Sequence, residues 1–461
     1  MQPSSETRNE SPVQQLRAGQ KGRVIAPGDA DYDKARAVTY GGIDGHPAAI
    51  VRVIDAADVA SVVTFARDNG FELAIRSGGH SAAGHSTTEG GIVLDLKDMK
   101  AIDIDVPNRR AWAETGITAA EFTSEVLDHG LVVGFGDAGT VALGGITTGG
   151  GVGYLARKYG LTIDSLLAAE IVTADGQLVR ADANTNPDLF WAIRGGGGNF
   201  GVATRFQFQL RELTEFVGGL MVLPATAETI AGFVAAAEAA PEELSTIANV
   251  MNAPPMPFLP SGVVGQVVIL AMIAYAGGAE AGARAIAPFR ALATPLADMV
   301  KPSSYLEMFP PEDPDYHPTA VSRNLLVDHV DLDVAQVILD RLTACDASLR
   351  VAQLRVLGGA VARVPTDATA YAHRASKIMV NVAAFYDGPD DRPVRDAWVT
   401  EFADVLDQGD AGAYVNFVGD EGEARVRAAY PGATWERLTR IKARFDPTNL
   451  FRRNQNIPPA A

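Results

Sequence analysis

The stretch Arg76-Ser77-Gly78-Gly79-His80-Ser81 follows a strand-like apolar run and decides how the rest of the chain is interpreted. Two adjacent glycines let the backbone turn tightly and approach a ligand closely, because glycine has no Cβ. The free N–H groups of such a turn form a concave anion site, to which Arg76 would add positive charge. A phosphate cradle beside an imidazole favours a nucleotide cofactor whose reactive ring lies near His80. Taken alone, the same residues are also typical of an ordinary tight turn.

Composition and charge narrow the class of protein. The chain has 461 residues, 47% hydrophobic and 21% charged, as expected for a globular protein of two or more domains. Its net charge of −17 is spread along the sequence, which argues against a nucleic-acid surface. No apolar run is long enough to cross a membrane, and residues 1–21 have no signal-peptide core, so we expect a cytoplasmic protein. The single cysteine, Cys345, excludes an internal disulfide framework, and we predict no metal site.

Strand and helix signals alternate along the chain and predict an α+β protein. Asp55 would cap a helix that ends at Gly70, and Thr118 and Glu121 have the spacing of a capping box. Beyond about residue 215, Ala/Val-rich helices separate apolar strands, which predicts an antiparallel sheet covered by helices. The predicted segments are an N-terminal leader (1–26), a glycine-rich domain (27–214), a substrate domain (215–410) and a returning C-terminal segment (411–461).

Two further clusters of glycine need an explanation in terms of structure or ligand binding, because ordering glycine costs more backbone entropy than ordering any other residue. The first, residues 144–153, overlaps Gly151-Val152-Gly153-Tyr154-Leu155-Ala156, which imitates the G-x-G-x-x-G/A dinucleotide fingerprint. That fingerprint needs a buried strand directly before its first glycine, whereas glycine and threonine precede it here. The second cluster is Gly195-Gly196-Gly197-Gly198. Both clusters are better explained as walls around a bound flat ring or phosphate.

The order of these motifs resembles that of the vanillyl-alcohol oxidase/p-cresol methylhydroxylase flavoproteins, in the berberine-bridge-enzyme-like branch. The resemblance extends over about residues 27–459 and depends on the ordered set 76–81, 144–153, 170–176, 186–197, 414–416 and 454–458. It implies a two-domain flavoprotein with a PCMH-type FAD-binding domain and a substrate domain.

The resemblance also implies how FAD would be held. The first turn would wrap the pyrophosphate, and His80 would be joined to the flavin 8α-methyl carbon. Many relatives have a second link through a cysteine, but Ala138 occupies that position, so His80 would be the sole link. Doubly linked flavins are typical of members that oxidise large sugars, which makes a carbohydrate substrate less expected. The residues implied at the cofactor are Arg76, Ser77, Gly78, Gly79, His80, Ser81, Gly84, His85, Gly139, Gly144, Gly145, Thr148, Gly149, Gly150, Ile171, Val172, Gly201, Val202, Tyr414, Asn416, Asn454 and Gln455.

The implied activity is an oxidase that transfers a hydride from a small alcohol, amine or secondary metabolite to the flavin. Reoxidation by O₂ would give hydrogen peroxide, and a side chain would take the substrate proton. Residues that could serve near the substrate are Tyr154, Arg355, Tyr371, His373, Tyr386 and Tyr414. Of these we expect the base to be Tyr414, Tyr154 or Tyr371, with Tyr414 favoured because the C-terminal segment should lie over the flavin. Apolar residues of the second domain suggest an aromatic or hydrophobic substrate, although they are equally consistent with core packing: Phe258, Met272, Tyr275, Met308 and Phe309.

Other functions stay open on the sequence alone. An oxidative cyclase, or a dehydrogenase using another electron acceptor, would need the same flavin site. A nicotinamide-dependent dehydrogenase would use the Gly151–Ala156 sequence as a genuine dinucleotide fingerprint. A non-catalytic flavin-binding protein would bind FAD without oxidising any substrate.

Overall fold

The structure, a computed structural model, describes residues 11–313 and 315–461. Among these residues no helix combines the length and the apolar character needed to span a lipid bilayer. In chain order the helices are α1 (Pro12–Gly19), α2 (Tyr32–Arg36), α3 (Ala56–Asn69), α4 (Ala119–Leu127), α5 (Leu143–Gly149), α6 (Ala156–Tyr159), α7 (Pro187–Ala192), α8 (Ala227–Ala239), α9 (Ala279–Arg290), α10 (Leu332–Ala344), α11 (Ala360–Arg363), α12 (Arg392–Leu406), α13 (Glu423–Ala429) and α14 (Ala433–Phe445).

The strands form several sheets, described below. In chain order they are β1 (Arg23–Ile25), β2 (Ala49–Arg52), β3 (Leu73–Arg76), β4 (Ile92–Asp95), β5 (Ile102–Asp105), β6 (Arg110–Glu114), β7 (Leu131–Val132), β8 (Leu166–Val172), β9 (Leu178–Asp182), β10 (Val202–Gln209), β11 (Arg211–Glu212), β12 (Val217–Pro224), β13 (Leu244–Asn252), β14 (Val267–Tyr275), β15 (Ala297–Asp298), β16 (Lys301–Pro302), β17 (Ala320–Val327), β18 (Arg350–Val356) and β19 (Ile378–Phe385).

A small sheet carries the turn at residues 76–81. Its strand order is β1-β2-β4-β3, with β2, β4 and β3 parallel and β1 antiparallel to β2. The helix predicted between β2 and β3 is α3, which Asp55 caps by accepting a hydrogen bond from the Asp58 N–H at 2.9 Å. Gly70 ends it in the left-handed conformation, with φ of 70°. Because β3 runs out of the sheet at Arg76, the turn lies at the carboxyl edge, where α/β sheets bind ligands.

The first described residues belong to this layer. Ser11 and Gln14 form a capping box at the start of α1, and β1 pairs with β2. Leu16 of α1 is buried in the same hydrophobic core as α3. Residues 11–26 of the predicted leader therefore pack against the small sheet. Residues 1–10 of that leader lie outside the described residues.

A second, antiparallel sheet has the order β5-β6-β10-β8-β9. Strands β8 and β9 form a hairpin, and its turn residue Gly176 has φ of 82°. On the covered face, Phe206 and Phe208 of β10 pack with Phe122 and Phe135 edge to face, at centroid distances of 5.3 to 5.9 Å. This sheet supplies the core behind the glycine loops.

The third sheet is large and antiparallel, with the order β15-β12-β14-β13-β18-β19-β17 and with β16 also paired to β12. Helices α8, α9, α10 and α12 cover one face and bury Phe233, Phe289, Ile338 and Phe402 there. Cys345 directly follows α10 and is buried in this core. The mixed α+β fold with a helix-covered antiparallel sheet is therefore confirmed.

The opposite face of the large sheet carries a row of polar side chains. Asn249, Gln353, Asn381 and Asn324 are direct partners across β13, β18, β19 and β17, and direct partners share a face. We call these four residues the carboxamide row. Gln353 Nε2 donates to Asn249 Oδ1 at 2.9 Å. Four adjacent amide side chains on one face of an otherwise apolar sheet indicate that this face contacts polar groups.

Candidate functional site

A cavity of about 470 Å³ lies between the glycine loops and the large sheet. Two members of the carboxamide row, Gln353 and Asn381, line it from the sheet side. The predicted cofactor residues that line it are Ser77, Gly78, Gly79, His80, Ser81, His85, Gly144, Gly145, Thr148, Gly201, Val202, Tyr414, Asn416, Asn454 and Gln455. The structure thus gathers residues from positions 77 to 455 of the sequence around one space.

The two glycines of the first turn are needed for different reasons. Gly79 has φ of 78°, in the left-handed region that favours glycine. Gly78 permits a close backbone approach, since a Cβ there would lie 2.7 Å from the Ala142 nitrogen. Ser77 fastens the turn by donating from Oγ to Thr115 O at 2.6 Å and accepting from the Gly144 N–H at 3.2 Å. The turn is therefore a fixed wall of the cavity.

Arg76 does not add its charge to this wall. Its buried guanidinium donates through Nη2 to Asp95 Oδ2 at 2.8 Å and to Ala35 O at 2.7 Å. Asp95 is itself buried, and a buried carboxylate needs a paired cation. The expectation that Arg76 forms part of the anion site is thus corrected: its side chain balances Asp95 within the small sheet.

Arg453 is a cation that the sequence analysis missed. It lines the cavity, and its guanidinium donates from Nε to Thr87 O at 2.9 Å and from Nη2 to Gly84 O at 3.3 Å. Within residues 11–313 and 315–461 it has no carboxylate partner, so its positive charge is available to an anion. The only sequence signal was its position directly before Asn454, at the start of the segment expected to return to the cofactor.

A buried lysine fixes the segment Phe451–Ile457, which we call the terminal strap. Lys442 Nζ donates to Asn199 O, Asp446 Oδ2 and Phe451 O at 2.7 to 2.9 Å. Asn199 Oδ1 in turn accepts from the Ile457 N–H at 2.9 Å. All three donors of the ammonium group are used, which offsets the cost of burying it. The strap is held against the glycine loop at residues 195–199, so Asn454 and Gln455 reach the cavity.

The residues around this cavity fit the FAD that the resemblance implies. A Cβ added to Gly145 or Gly198 would meet nothing within 4 Å, so these bare backbones face open space in the cavity. Polar atoms that line it lack partners among the described residues: both ring nitrogens of His85, Asn454 Oδ1 and Asn381 Oδ1. Buried polar groups are normally hydrogen-bonded, so a polar ligand would satisfy them. Arg453 would face its phosphates.

Burial keeps His85 neutral. It lowers the pKa of the imidazole to about 4, and the nearby charge of Arg453 acts in the same direction. A neutral imidazole can donate one hydrogen bond and accept another. His85 therefore suits a ligand that has both donors and acceptors, which a flavin dinucleotide has.

Several predicted cofactor residues stand behind the cavity wall. Gly149 gives room to the amide of Asn416, and Gly150 lies beside the ring of Tyr414. Gly201, which does line the cavity, passes close to Ile171 and Val172, so those two residues support it from β8. Gly84 packs on Ile43, and Gly139 packs on Phe309 and Ala120. The structure places none of Gly84, Gly139, Gly149, Gly150, Ile171 and Val172 on the cavity lining.

His80 lines the cavity and has a polar neighbour on one side. Its Nε2 lies 3.1 Å from Thr140 Oγ1, and Thr140 donates to Glu312 Oε2 at 2.6 Å. Burial lowers the pKa of His80, although the charge of Glu312 opposes that shift. Ala138 also lines the cavity and offers no sulfur, and Cys345 lies in the core of the large sheet. Sequence reasoning missed both Thr140 and Glu312.

Tyr414 presents its hydroxyl to a set of N–H donors. The oxygen accepts from Gly151 N at 2.9 Å, from Val152 N at 3.3 Å and from Asn416 Nδ2 at 2.9 Å. Asn324 of the carboxamide row holds the Tyr414 backbone, since its Oδ1 accepts from the Tyr414 N–H at 2.9 Å. Burial raises the pKa of the phenol, while these donors and the charge of Arg355 oppose the rise. The donors favour the phenolate form of a side chain that lines the cavity.

The other two candidate bases are placed differently. Tyr154 is buried beside Phe309 and Tyr305, and burial raises its pKa strongly. Tyr371 is buried against Tyr414 at a centroid distance of 6.1 Å, and burial raises its pKa too. Neither residue lines the cavity. A base must reach its proton directly or through one water, so the geometry favours Tyr414 over both.

Arg355 lines the sheet side of the cavity as half of an ion pair. Its Nη2 lies 2.6 Å from Asp137 Oδ2, and Nε and Nη2 donate to Gln353 Oε1 at 2.9 and 2.7 Å. The guanidinium also stacks over Phe417, 4.9 Å from the ring centroid. Asp137 comes from the glycine-rich side and Arg355 from β18, so the pair joins the two walls. Because the charges balance, this part of the cavity is polar without a strong net charge.

The structure bears on two further interpretations of the sequence, the dinucleotide fingerprint and the apolar substrate residues. The residues before Gly151 form α5 and not a strand, so Gly151–Ala156 lacks the context of a dinucleotide fingerprint. The apolar residues of the second domain do not line the cavity: Phe258 lies at the surface with 39% of its area exposed, Tyr275 belongs to the core of the large sheet, and Met272, Met308 and Phe309 pack in a separate cluster. They therefore give no support for an aromatic or hydrophobic substrate.

Comparisons with known proteins agree with this geometry. Residues 47–182 match the family model described as "FAD binding domain", and residues 413–458 match "Berberine and berberine like". The chain is 30% identical to (R)-6-hydroxynicotine oxidase of Paenarthrobacter nicotinovorans, over 95% of this chain and 97% of that protein. It is 30% identical to xylooligosaccharide oxidase of Thermothelomyces thermophilus, over 90% and 88% of the two chains. The crystal structure of 6-hydroxy-D-nicotine oxidase from Arthrobacter nicotinovorans superposes with a TM-score of 0.84 at 28% identity, covering 96% of this chain and 98% of that one.

Proposed function

Because the chain belongs to the FAD-binding PCMH-type, berberine-bridge-enzyme-like family of FAD-linked oxidoreductases, we propose that it is an oxidase with Tyr414 as its catalytic base. The observation that carries the proposal is the Tyr414 oxygen, which accepts three N–H hydrogen bonds beside a cavity that fits FAD. Donors fixed around an oxygen stabilise the charge that it holds when deprotonated. Tyr414 would therefore take the proton from a substrate hydroxyl or amine.

The work is divided between the cofactor and the chain. Bound FAD would supply the oxidation, by accepting a hydride from the substrate carbon and passing the electrons to O₂ to give hydrogen peroxide. The chain orients the substrate and removes its proton. Gly151, Val152 and Asn416 hold the phenolic oxygen in place, and Asn324 fixes its backbone. Arg355 favours the charged form of Tyr414 from the sheet side.

We propose that the substrate is small, polar and without a net charge. The support is the sheet side of the cavity, where Asp137 neutralises Arg355 and Asn381 Oδ1 is buried without a partner among the described residues. A substrate hydroxyl or amine could donate to Asn381 Oδ1. A site built to accept a donor rejects analogues that lack it, because the buried acceptor is then left unpaired. This replaces the expectation of an aromatic or hydrophobic substrate.

We also propose that FAD is joined covalently to the chain through His80 alone. His80 lines the cavity, and Ala138 provides no second nucleophile. A histidyl substituent draws electrons from the flavin, which would make it a stronger oxidant. Acid precipitation of the purified protein tests the link: yellow flavin should stay in the wild-type pellet and leave the pellet of His80→Ala. Free flavin in the wild-type supernatant would contradict it.

Anaerobic reduction tests the catalytic proposal. The candidate substrates should be polar alcohols and amines. They should include 6-hydroxynicotine and xylooligosaccharides, because two of the relatives are named after these compounds. A substrate should bleach the flavin, and admission of O₂ should restore the colour with one hydrogen peroxide per turnover. Bleaching that O₂ does not reverse would indicate a dehydrogenase with another acceptor. A substrate that bleaches wild type and Tyr414→Phe at equal rates would overturn the role of Tyr414.

A further inference from the structure

The neighbours of His80 come from two separate parts of the chain. Thr140 lies in the loop before α5, and Glu312 lies 172 residues later, beyond the large sheet's β16. Together they form a continuous path from His80 Nε2 to Thr140 Oγ1, 3.1 Å, and from Thr140 Oγ1 to Glu312 Oε2, 2.6 Å. Both side chains are exposed, so neither is needed to fill the core.

The direction of these hydrogen bonds follows from counting protons. A carboxylate only accepts, so the single hydroxyl proton of Thr140 is donated to Glu312. The Thr140 oxygen can then only accept from the imidazole, which places the ring proton of neutral His80 on Nε2. The lone pair of the ring is left on Nδ1. The path therefore selects one tautomer and fixes which nitrogen can act as a nucleophile.

Residues on either side of Glu312 in the sequence contact the rest of the protein. Three residues before it, Phe309 packs 5.5 Å from the Tyr305 ring and against Gly139, the neighbour of Thr140. Six residues after it, Pro318 O accepts from the Gly41 N–H at 3.1 Å. Gly139 has no room for a Cβ because Phe309 Cβ and Ala120 Cβ would lie 2.9 and 3.0 Å away. This explains a glycine that was predicted at the cofactor but packs behind it.

We propose that Glu312, acting through Thr140, positions His80 and takes up its proton during covalent attachment of FAD. Glu312 and Thr140 are positioning residues in this scheme, since neither lines the cavity. The inference rests on the proposed function in one respect only, the attachment of FAD through His80. It does not depend on the identity of the substrate or of the catalytic base.

The chemistry of attachment is balanced as follows. A bond forms between His80 Nδ1 and the 8α carbon, one C–H bond of that methyl group breaks, and the Nε2 proton passes through Thr140 to Glu312 and on to solvent. The two electrons released reduce the flavin ring, and O₂ reoxidises it. Overall, one imidazole hydrogen and one methyl hydrogen leave with O₂ as hydrogen peroxide. Glu312 contributes by stabilising positive charge that develops on the ring as Nδ1 forms its bond.

Four variants test the relay. Glu312→Gln keeps the shape of the side chain and removes its charge, and Thr140→Val keeps the volume and removes the hydroxyl. Thr140→Ser restores the hydroxyl and should behave like wild type. Asp313→Asn removes a neighbouring exposed carboxylate that does not contact Thr140, and so controls for a general change of charge.

Two quantities are measured for each variant. The first is total FAD per polypeptide in the native protein, and the second is the fraction that stays attached after acid denaturation, checked by intact mass. We expect Glu312→Gln and Thr140→Val to bind FAD normally but to attach it roughly tenfold or more slowly. Thr140→Ser and Asp313→Asn should attach it at the wild-type rate.

Three results would overturn the relay. They are unchanged attachment in Glu312→Gln, loss of total FAD from Glu312→Gln, which would indicate a general structural role, and absence of attached FAD from the wild type. None of these results contradicts the proposed oxidase, because non-covalently bound FAD can still be bleached by substrate. Conversely, a protein that attaches FAD through the relay but oxidises no substrate would contradict the proposed function and would still support the relay.

Discussion

The two walls of the cavity differ in composition: one consists mainly of backbone and the other of side chains. The wall on the glycine-rich side is mostly backbone: Gly78 and Gly79 form its first turn, and Gly145 and Gly198 leave open space beside it. The wall on the large sheet is made of side chains: Gln353 and Asn381 of the carboxamide row, and Arg355. A backbone wall suits a ligand that is always the same, whereas a side-chain wall can be changed residue by residue. The comparison suggests that FAD faces the first wall and the variable substrate faces the second.

The largest effect should come from adding a methyl group to the backbone wall. Gly78→Ala would place a Cβ 2.7 Å from the Ala142 nitrogen, and such overpacking costs about 1–3 kcal/mol and displaces the turn. We expect most of the purified protein to lack FAD, as measured by its absorbance ratio. Gly145→Ala is the matched control, because its methyl group meets no protein atom within 4 Å. It lies inside α5, where alanine is favoured over glycine, so it should not lower the melting temperature of the FAD-free protein and should weaken only FAD binding.

Between the two walls, Tyr414→Phe should damage catalysis and spare the cofactor. Loss of a general base typically lowers the rate by about 10²–10⁴-fold. We expect that decrease in the rate of anaerobic flavin reduction, with the FAD content unchanged. Tyr371→Phe, which changes a buried hydroxyl that does not line the cavity, serves as the control and should keep most of the activity. Equal losses in both variants would contradict the assignment of Tyr414.

A change on the strap should weaken FAD binding by an intermediate amount. Arg453→Met removes the cation of the cofactor wall, and a charged hydrogen bond contributes about 1.5–3 kcal/mol, or roughly 10- to 100-fold in Kd. The affinity should be measured by titrating FAD into protein that also carries His80→Ala, so that attachment does not interfere. Arg452→Met, at the exposed neighbouring position, should bind like the His80→Ala parent. If the two arginine variants bind equally, Arg453 does not face the phosphates.

The smallest effect should be a shift in the pH dependence. Burial raises the pKa of Tyr414 above its ordinary value near 10, so if the phenolate is the active form, kcat/KM should rise with pH throughout the neutral range. Removing the positive charge in Arg355→Met should raise that pKa further, because the nearby cation favours the phenolate. At any pH below the pKa, kcat/KM should then be lower than in the wild type. Arg355→Lys keeps the charge and should show a smaller shift; a flat profile for wild type would argue against a tyrosine base.

The difference between the walls also explains what the sequence could reveal. The helix α3 could be predicted from Asp55 and Gly70 because both caps act within a few residues of their partners. The glycine turns could be recognised because a residue without a Cβ is conspicuous and its reason is local. The boundary of the first domain was harder: α1 docks through Leu16, a single apolar residue in a polar segment.

The side-chain wall depends on contacts that a linear pattern does not contain. Gln353 and Asn381 look like isolated polar residues in apolar strands until strand register makes them neighbours. Arg76 and Arg453 cannot be told apart from the sequence, since both precede predicted cofactor residues. Only the fold shows that Arg76 pairs with Asp95 and Arg453 does not. Polar residues at every second position of an apolar strand, as at Gln353 and Arg355, were the one available signal for this wall.

The ammonium group of Lys442 has a consequence for how the protein matures. Its three hydrogen bonds hold the terminal strap in place, and the strap brings Arg453 against Thr87, 366 residues earlier in the sequence. Contacts between such distant residues form late, because the entropy of closing the loop must be offset by structure that is already folded. The cofactor cavity is thus completed only when the strap docks. We therefore expect FAD to be captured by a nearly finished protein, and not to form part of the nucleus around which the chain folds.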